Sequence, residues 1–402
     1  MDLKSGYPFW AIKNGLVAAF PRLRKSLDVD VLIVGGGITA ALIARELHAS
    51  GLRIAVVDKR DIGWGSTSAS TALLQYEIDT EYLELAGMVG ADAATKAYLA
   101  CVDSVQRLQE IARDYRGVEC FALRSLYYAS HFWHGRRLRK EFAARREIGI
   151  DIELLERDVL IRDFGIDANV GLLSKVAAAL DPYQLAYAIF KRLAREHVPI
   201  HDHSAMLSFS THDNGVDAEF DRGIRVHCRH LVLACGYETQ SYLKQSVAQN
   251  RSSYAYITDP QEGDLSCLAD TMVWESARPY VYVRRTRDGR LLIGGEDDDF
   301  DIPIARDRRV QKKVDKLRKR AEALLPNFDW TPAFAWAGTF AETKDGLPWF
   351  GPHKEHGQNV HFAMAYGGNG ITYSQIGAEI LAATLHGKAH PLAELFSFKR
   401  MQ

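Results

Sequence analysis

The stretch VDVLIVGGGITAALIARELHASG, residues 29–51, decides the fold. It opens on β-branched and aliphatic residues without polar alternation, the pattern of a strand buried on both faces of a parallel sheet. Gly35, Gly37 and Ala40 follow in the G-x-G-x-x-G/A spacing. Apolar residues then recur at helical intervals until Gly51, a helix stop. Next comes LRIAVVD, residues 52–58, which reads as a second strand ending on an acid.

Each part has a physical task. Gly35 permits a tight turn, Gly37 lets the backbone approach a pyrophosphate, and Ala40 keeps the helix close to the strand. The helix N-terminus offers free N–H groups and a partial positive charge to phosphate. Asp58 is placed to accept hydrogen bonds from a ribose and disfavours a 2′-phosphate. The glycine spacing alone is a weak signal. The ordered strand, helix, second strand and acid make it a dinucleotide-binding unit.

The chain has 402 residues, 47% apolar and 25% charged, with a formal net charge of −1. That length suits two domains, and the charge gives no field for nucleic acid or an anionic membrane. The basic run Arg136-Arg137-Leu138-Arg139-Lys140 reads as a solvated helix face. The five cysteines are widely spaced, with no Cys-x-x-Cys. Neither a disulfide framework nor a metal site is expected, and reduced thiols point to the cytoplasm. The first residues lack the pattern of a signal peptide, and no apolar run is long enough for a membrane span.

Further on, Asp181-Pro182 marks a helix start, a cap followed by proline at the first helical position. YVYVRRTRDGRLLIGG, residues 280–295, predicts a hairpin turning at Asp288-Gly289, with Tyr280 and Tyr282 on one face and Val281 and Val283 on the other. Helices are expected around 91–115 and 305–325. AYGGNGITYSQIG, residues 365–377, is a second glycine turn leading into a helix.

Taken in order, VDVLIVGGGITAALIARELHASG, GSTSAST (65–71), ALDPYQLAYAIFKRLA (179–194), LVLACGYET (231–239) and WAGTFAETKDGLPWFG (336–351) resemble the FAD-dependent amine and D-amino-acid oxidase (DAO) family. That family includes glycine oxidase, sarcosine oxidase and gamma-glutamylputrescine oxidoreductase-like enzymes. The resemblance implies an α/β fold in which a Rossmann-like FAD-binding domain is interleaved with an antiparallel-sheet (α+β) substrate domain. Residues 28–80, 181–240 and 331–402 are then the FAD-binding domain, 81–180 and 241–330 the substrate domain, and 1–27 an N-terminal extension.

The resemblance also assigns the cofactor site. Gly35, Gly37 and Ile38 belong to the first turn, and Asp58 and Lys59 to the end of the second strand. Gly65, Ser66, Thr67 and Ser68 form the hydroxyl-rich loop, with Met206 and Gly236 nearby. Gly338, Gly368, Asn369, Gly370, Ile371 and Thr372 face the flavin, where helix N–H groups stabilise charge at its pyrimidine end. Relatives that attach FAD covalently use histidine or cysteine; the matching positions here are Ala69 and Gly338, so FAD is expected to be non-covalent.

The implied reaction is oxidation of a C–N bond by hydride transfer to flavin, with hydrolysis of the imine. The flavin carries the chemistry, and no catalytic side chain is assigned. Pocket candidates are Phe340, Glu342, Tyr254, Tyr256 and Tyr280. Amino-acid oxidases of the family hold the substrate carboxylate with arginines. The matching positions here are Phe340 and Gly368, which favours a small amine or an amino-acid derivative over a simple α-amino acid. Arg251 and Arg278 are alternative carboxylate partners. Leu292 stands where sarcosine oxidases place a lysine that assists oxygen, so oxygen or another electron acceptor both stay open. Two alternatives also stay open: a 2-hydroxy-acid or glycerol-phosphate dehydrogenase, and a non-catalytic flavin-binding subunit of a larger complex.

Overall fold

The computed structural model describes residues 1–401. Two sheets organise the chain. The first runs in the spatial order Trp349–Pro352, Val360–Met364, Arg225–Leu233, Leu27–Val34, Ile54–Val57, Ile200–His201. From Val360–Met364 onward its neighbours are parallel, with Leu32 opposite Ala55 and Leu231. Val31, Leu32 and Ile33 are completely buried, as a strand covered on both faces requires. A hairpin, Met206–His212 and Gly215–Phe220, extends from the strand Arg225–Leu233.

The helices Ile38–Ala49, Pro182–Arg195 and Gly370–Leu385 pack on one another beside this sheet. Asp181 caps the second of them, accepting from the Gln184 N–H at 2.9 Å, with Pro182 at the first helical position. Such a cap contributes about 1 kcal/mol. Leu185, Ile189 and Leu193 lie on its buried face.

The second sheet has ten strands and is mostly antiparallel. Its order begins Lys4–Gly6, Pro332–Glu342, Gln249–Thr258, Leu291–Asp298, Val281–Arg285, Thr271–Glu275. It continues with Cys120–Tyr128, Val170–Leu180 and Leu73–Gln75, and Ile152–Glu156 also pairs with Val170–Leu180. The helix Pro303–Leu324 covers one face, burying Val314, Leu317 and Ala321 against Val281, Val283 and Ile293. The expected hairpin forms, with Val283 opposite Ile293 and Gly289 at φ 80°.

Two segments take strand partners that their own residues do not specify. Residues 332–342 do not join the nucleotide sheet; they pair with Gln249–Thr258 and Lys4–Gly6, and the nucleotide sheet resumes at Trp349. Residues 4–6, within the N-terminal extension, form an added edge strand with Lys4 opposite Gly338. Among the described residues no helix is long and apolar enough to cross a membrane.

Candidate cofactor and substrate site

A cavity of about 720 Å³ runs between the two sheets, from the first glycine turn to the second. Two helices of at least three turns begin in its wall, Ile38–Ala49 and Gly370–Leu385. Neither N-cap residue, Gly37 or Asn369, makes a side-chain capping bond. A long cavity with a partly positive helix end at each pole suits an anionic dinucleotide.

At the first pole Gly35 has φ 122°, and a Cβ there would lie 2.1 Å from the Ala234 carbonyl oxygen. Asp58 accepts from the Gly36 N–H at 2.6 Å and from the Arg60 N–H at 2.7 Å. Burial raises its pKa, while these two bonds oppose the rise. Asp58 therefore shapes the turn as well as facing the cavity. Lys59 and Arg60 both pair with Glu238, each at 2.9 Å. Ile38 donates its N–H to Thr67 Oγ1 at 3.0 Å, tying the turn to the hydroxyl-rich loop.

That loop contains a short helix, Ser66–Ala69, and is held from outside by its carbonyls. Trp336 Nε1 donates to Ala69 O (2.8 Å), Trp10 Nε1 to Ser70 O (2.7 Å), and Arg284 Nη2 to Thr71 O (2.9 Å). At the second pole Asp345 accepts from the Leu347 N–H at 3.0 Å and from Arg400 Nε at 2.6 Å, a structural turn. Gly367 has φ 97°.

Of the sequence-assigned cofactor residues, Gly35, Gly37, Ile38, Asp58, Lys59 and Gly65 line the cavity. So do Ser66, Thr67, Met206, Gly236, Gly338, Gly368, Gly370 and Ile371. Three do not. Ser68 donates to Gly65 O (3.0 Å), Asn369 Nδ2 to Glu77 O (2.6 Å), and Thr372 Oγ1 to Gln75 O (3.4 Å). They brace the loops from behind.

On the substrate side Phe340 and Tyr280 line the cavity, joined by Trp274, Tyr282 and Ser253. Tyr254 touches it, but its hydroxyl turns away to Asp298 (2.8 Å). Tyr256 is misassigned by sequence: it is fully buried in the core under the helix Pro303–Leu324. Two-residue alternation puts Tyr254 and Tyr256 on the same face, and that face meets the helix. Leu292 is completely buried.

Sequence reasoning missed two acids. Asp79 lines the cavity and accepts from the Gly368 N–H at 2.6 Å through Oδ2. Asp297 does not line the cavity, but a bulge brings it next to residues that do. Glu296 has φ 56°, and the pairing between Gln249–Thr258 and Leu291–Asp298 shifts register there. The shift sends Glu296 to Arg320 on the covering helix (2.7 Å) and turns Asp297 toward Ser253 and Tyr280. Burial first, then the charges of Glu342 and Asp79, push Asp297 up to about 7. Asp297 Oδ1 is sealed from solvent and has no hydrogen-bond partner.

Glu342, assigned to the pocket by sequence, does not line the cavity; it pairs with Arg251 Nε at 2.6 Å. Burial raises its pKa, and Asp79 adds to the rise. Arg251 also pairs with Asp299. Arg278 lies over the Tyr280 ring at 4.6 Å and donates to the Asp79 backbone oxygen at 2.8 Å. Two clusters of metal-ligand type, His212-Asp217-His227 and Asp61-Asp202-His203, lie outside the cavity wall.

A parallel sheet with its glycine turn, joined to an antiparallel sheet across one long cavity, defines a dinucleotide-binding class of protein. Residues 30–384 match the DAO family model, FAD dependent oxidoreductase, and the chain belongs to that family of enzymes. The gamma-glutamylputrescine oxidoreductase of Escherichia coli (strain K12) is 22% identical over 399 residues, 95% of this chain and 89% of the relative. A putative Rieske 2Fe-2S iron-sulfur protein, YhfW of Bacillus subtilis (strain 168), is 22% identical over 405 residues, 98% of this chain and 75% of that protein. The crystal structure of glycine oxidase from Geobacillus kaustophilus aligns with a TM-score of 0.76 at 20% identity, covering 92% of this chain and 98% of that one.

Proposed function

We propose that this enzyme holds FAD without a covalent link and oxidises the C–N bond of a small amine. The two uncapped helix ends and the continuous cavity support the cofactor assignment. Gly35, Gly37 and Ile38, with Ser66 and Thr67, would hold the pyrophosphate. Asp58, Lys59, Met206 and Gly236 would meet the adenosine half. Gly338, Gly368, Gly370 and Ile371 would meet the ring. Segments 28–80, 181–240 and 331–402 would carry the cofactor, and 81–180 and 241–330 the substrate, with the strand 332–342 shared.

Ala69 and Gly338 offer no attachment atom. The one cysteine in the cavity wall, Cys235, is held protonated by burial, its pKa pushed up to about 12. The free cysteines support a reducing, cytoplasmic setting.

One observation carries the substrate class: the Asp79 carboxylate sits against Gly368. A simple α-amino acid would bring its carboxylate toward Asp79 and Phe340, a like charge and an apolar ring. Such poor solvation costs several kcal/mol. A cationic amine instead gains a charge-assisted contact. When bound, FAD supplies the hydride acceptor for the substrate carbon next to nitrogen. Asp79 would attract and orient the substrate's ammonium group. Phe340, Tyr280 and Tyr282 keep water from the reacting carbon, and the released imine is hydrolysed. Buried Leu292, where a lysine would assist oxygen, supports an acceptor other than oxygen.

The test is anaerobic reduction of the purified holoenzyme, followed by flavin absorbance, with amines, glycine, D-alanine and hydroxy acids. Bleaching by amines is expected. Bleaching by glycine or by hydroxy acids, with none by amines, refutes amine oxidation. Subsequent mixing with oxygen measures the acceptor preference.

A further inference from the structure

The family match starts at residue 30, so residues 1–29 lie outside it. They nevertheless reach the cavity: Met1 and Leu3 both stand in its wall. Leu3 is only 4% exposed, and a Cβ on Gly65 of the hydroxyl-rich loop would lie 3.5 Å from its Cδ1. Lys4 Nζ lies 4.1 Å from the centre of the Trp64 ring, next to that glycine in the chain.

These residues are fastened to both halves of the molecule. On the side of the antiparallel sheet, Lys4 stands opposite Gly338 and Gly6 opposite Trp336. The Thr339 N–H donates to Leu3 O at 2.9 Å, and fully buried Arg306 donates from Nη1 to Asp2 O at 3.0 Å. On the nucleotide side Arg60 Nη1 donates to Met1 O at 3.2 Å. Further along, the Leu23 N–H donates to Ser204 Oγ at 2.8 Å, and Ser204 also lines the cavity. Residues 1–6 therefore bridge the two sheets along the cavity wall.

The bridge can open without disturbing what lies beneath it. Lys4–Gly6 is a three-residue strand at the end of the strand order, and its residues are half-buried or exposed. Its neighbour Pro332–Glu342 is held on the other side by Gln249–Thr258 and stays in the sheet when Lys4–Gly6 lifts. A short edge strand opens at lower free energy than the core strands.

We propose that residues 1–6 belong to the cofactor site and gate it: FAD enters and leaves when this strand lifts from Pro332–Glu342 and is held when the strand is seated. This rests on the non-covalent FAD reading above. Exchange then runs through a local opening, so whatever unseats the strand speeds entry and release together. A residue that merely touched the cofactor would change release and leave entry alone.

Gly6→Ala tests the gate without altering a residue of the cavity wall. Gly6 has φ 68°, and a Cβ there would run into the Ala335 carbonyl oxygen, so alanine unseats the strand. Release from the holoenzyme is timed by exchange into excess isotopically labelled FAD, read by mass spectrometry of the bound flavin. Kd is read from flavin fluorescence on dilution. Release is expected to quicken at least about tenfold while Kd changes by less than about threefold. A second variant carries Ser5→Cys with Ala337→Cys, direct cross-strand partners that a disulfide joins. Its oxidised form is expected to exchange flavin at least about tenfold more slowly than the same protein reduced. Unchanged exchange in Gly6→Ala overturns the gate. So does a Kd that rises in proportion to the release rate, or an oxidised double variant that exchanges as fast as its reduced form. Flavin that stays attached to the denatured protein removes the non-covalent reading itself, and the gate with it.

Discussion

Asp79 Oδ2 accepts a hydrogen bond from the Gly368 backbone N–H at 2.6 Å, and a Cβ at position 368 would lie 2.6 Å from Asp79 Oδ1. The two residues are 289 positions apart in the chain. A side chain at 368 would displace the Asp79 carboxylate from this position. The glycine and the acid belong together: one clears the space and the other fills it with negative charge.

Asp79→Asn keeps the oxygen that accepts from Gly368 and removes the charge. KM for the best amine should rise about ten- to hundredfold, the range of a lost charge-assisted hydrogen bond. Flavin content should be unchanged. Steady-state kinetics beside an absorbance spectrum checks both. An unchanged KM would remove Asp79 from substrate binding.

The pH dependence follows from Asp297. Burial, Glu342 and Asp79 push it up to about 7, while Ser253 and Arg278 oppose the rise; Tyr280 and Tyr282 also face it. Only its ionised form attracts a cation. Affinity for the best cationic amine should therefore be full well above about 7 and fall as pH drops through that value. A KM–pH series with that amine measures the fall, and Asp297→Asn should abolish it.

Gly35→Ala should destroy the cofactor site. The φ of 122° is strained for any residue with a Cβ, and the added carbon would meet the Ala234 carbonyl at 2.1 Å. Strain of this kind costs about 1–3 kcal/mol before the clash is counted. The expected product is flavin-free or insoluble protein with a lowered Tm, seen by thermal melting and absorbance.

Trp10→Phe removes the donor to the Ser70 carbonyl but keeps most of the buried ring. The loop at Ser66–Thr71 should loosen by about 1 kcal/mol, the net worth of one hydrogen bond. FAD should dissociate severalfold more readily, measured by fluorescence of released flavin. Unchanged release would show that the first residues do not steady the loop.

Acid precipitation of the holoenzyme should leave the yellow colour in the supernatant. Colour that stays with the pellet would show a covalent link and contradict the wall of Ala69, Gly338 and protonated Cys235.

Much of this was legible in the sequence because it is local. The strand at Leu27–Val34, its glycine turn and the helix after it are encoded by adjacent residues. The cap at Asp181 and the hairpin turn at Asp288-Gly289 are short-range signals too. Lys4–Gly6 was not legible, since three residues carry no periodicity. Pro332–Glu342 was legible as a strand but not as a member of a particular sheet. Tyr256 failed because alternation separates two faces without saying which one meets the cavity.

The sequence by itself determined the nucleotide-binding turn, the family and the absence of side-chain arginines at positions 340 and 368. Only the tertiary structure decided what replaced them. Asp79 reaches Gly368 across most of the chain, a contact with no local signature. Asp297 turns toward Ser253 because a single positive φ at Glu296 slips the strand by one residue. A slip of one reverses which side chains point inward. That reversal is set by pairing with a neighbouring strand and by the helix that takes Glu296, neither of which is written in the residues around it.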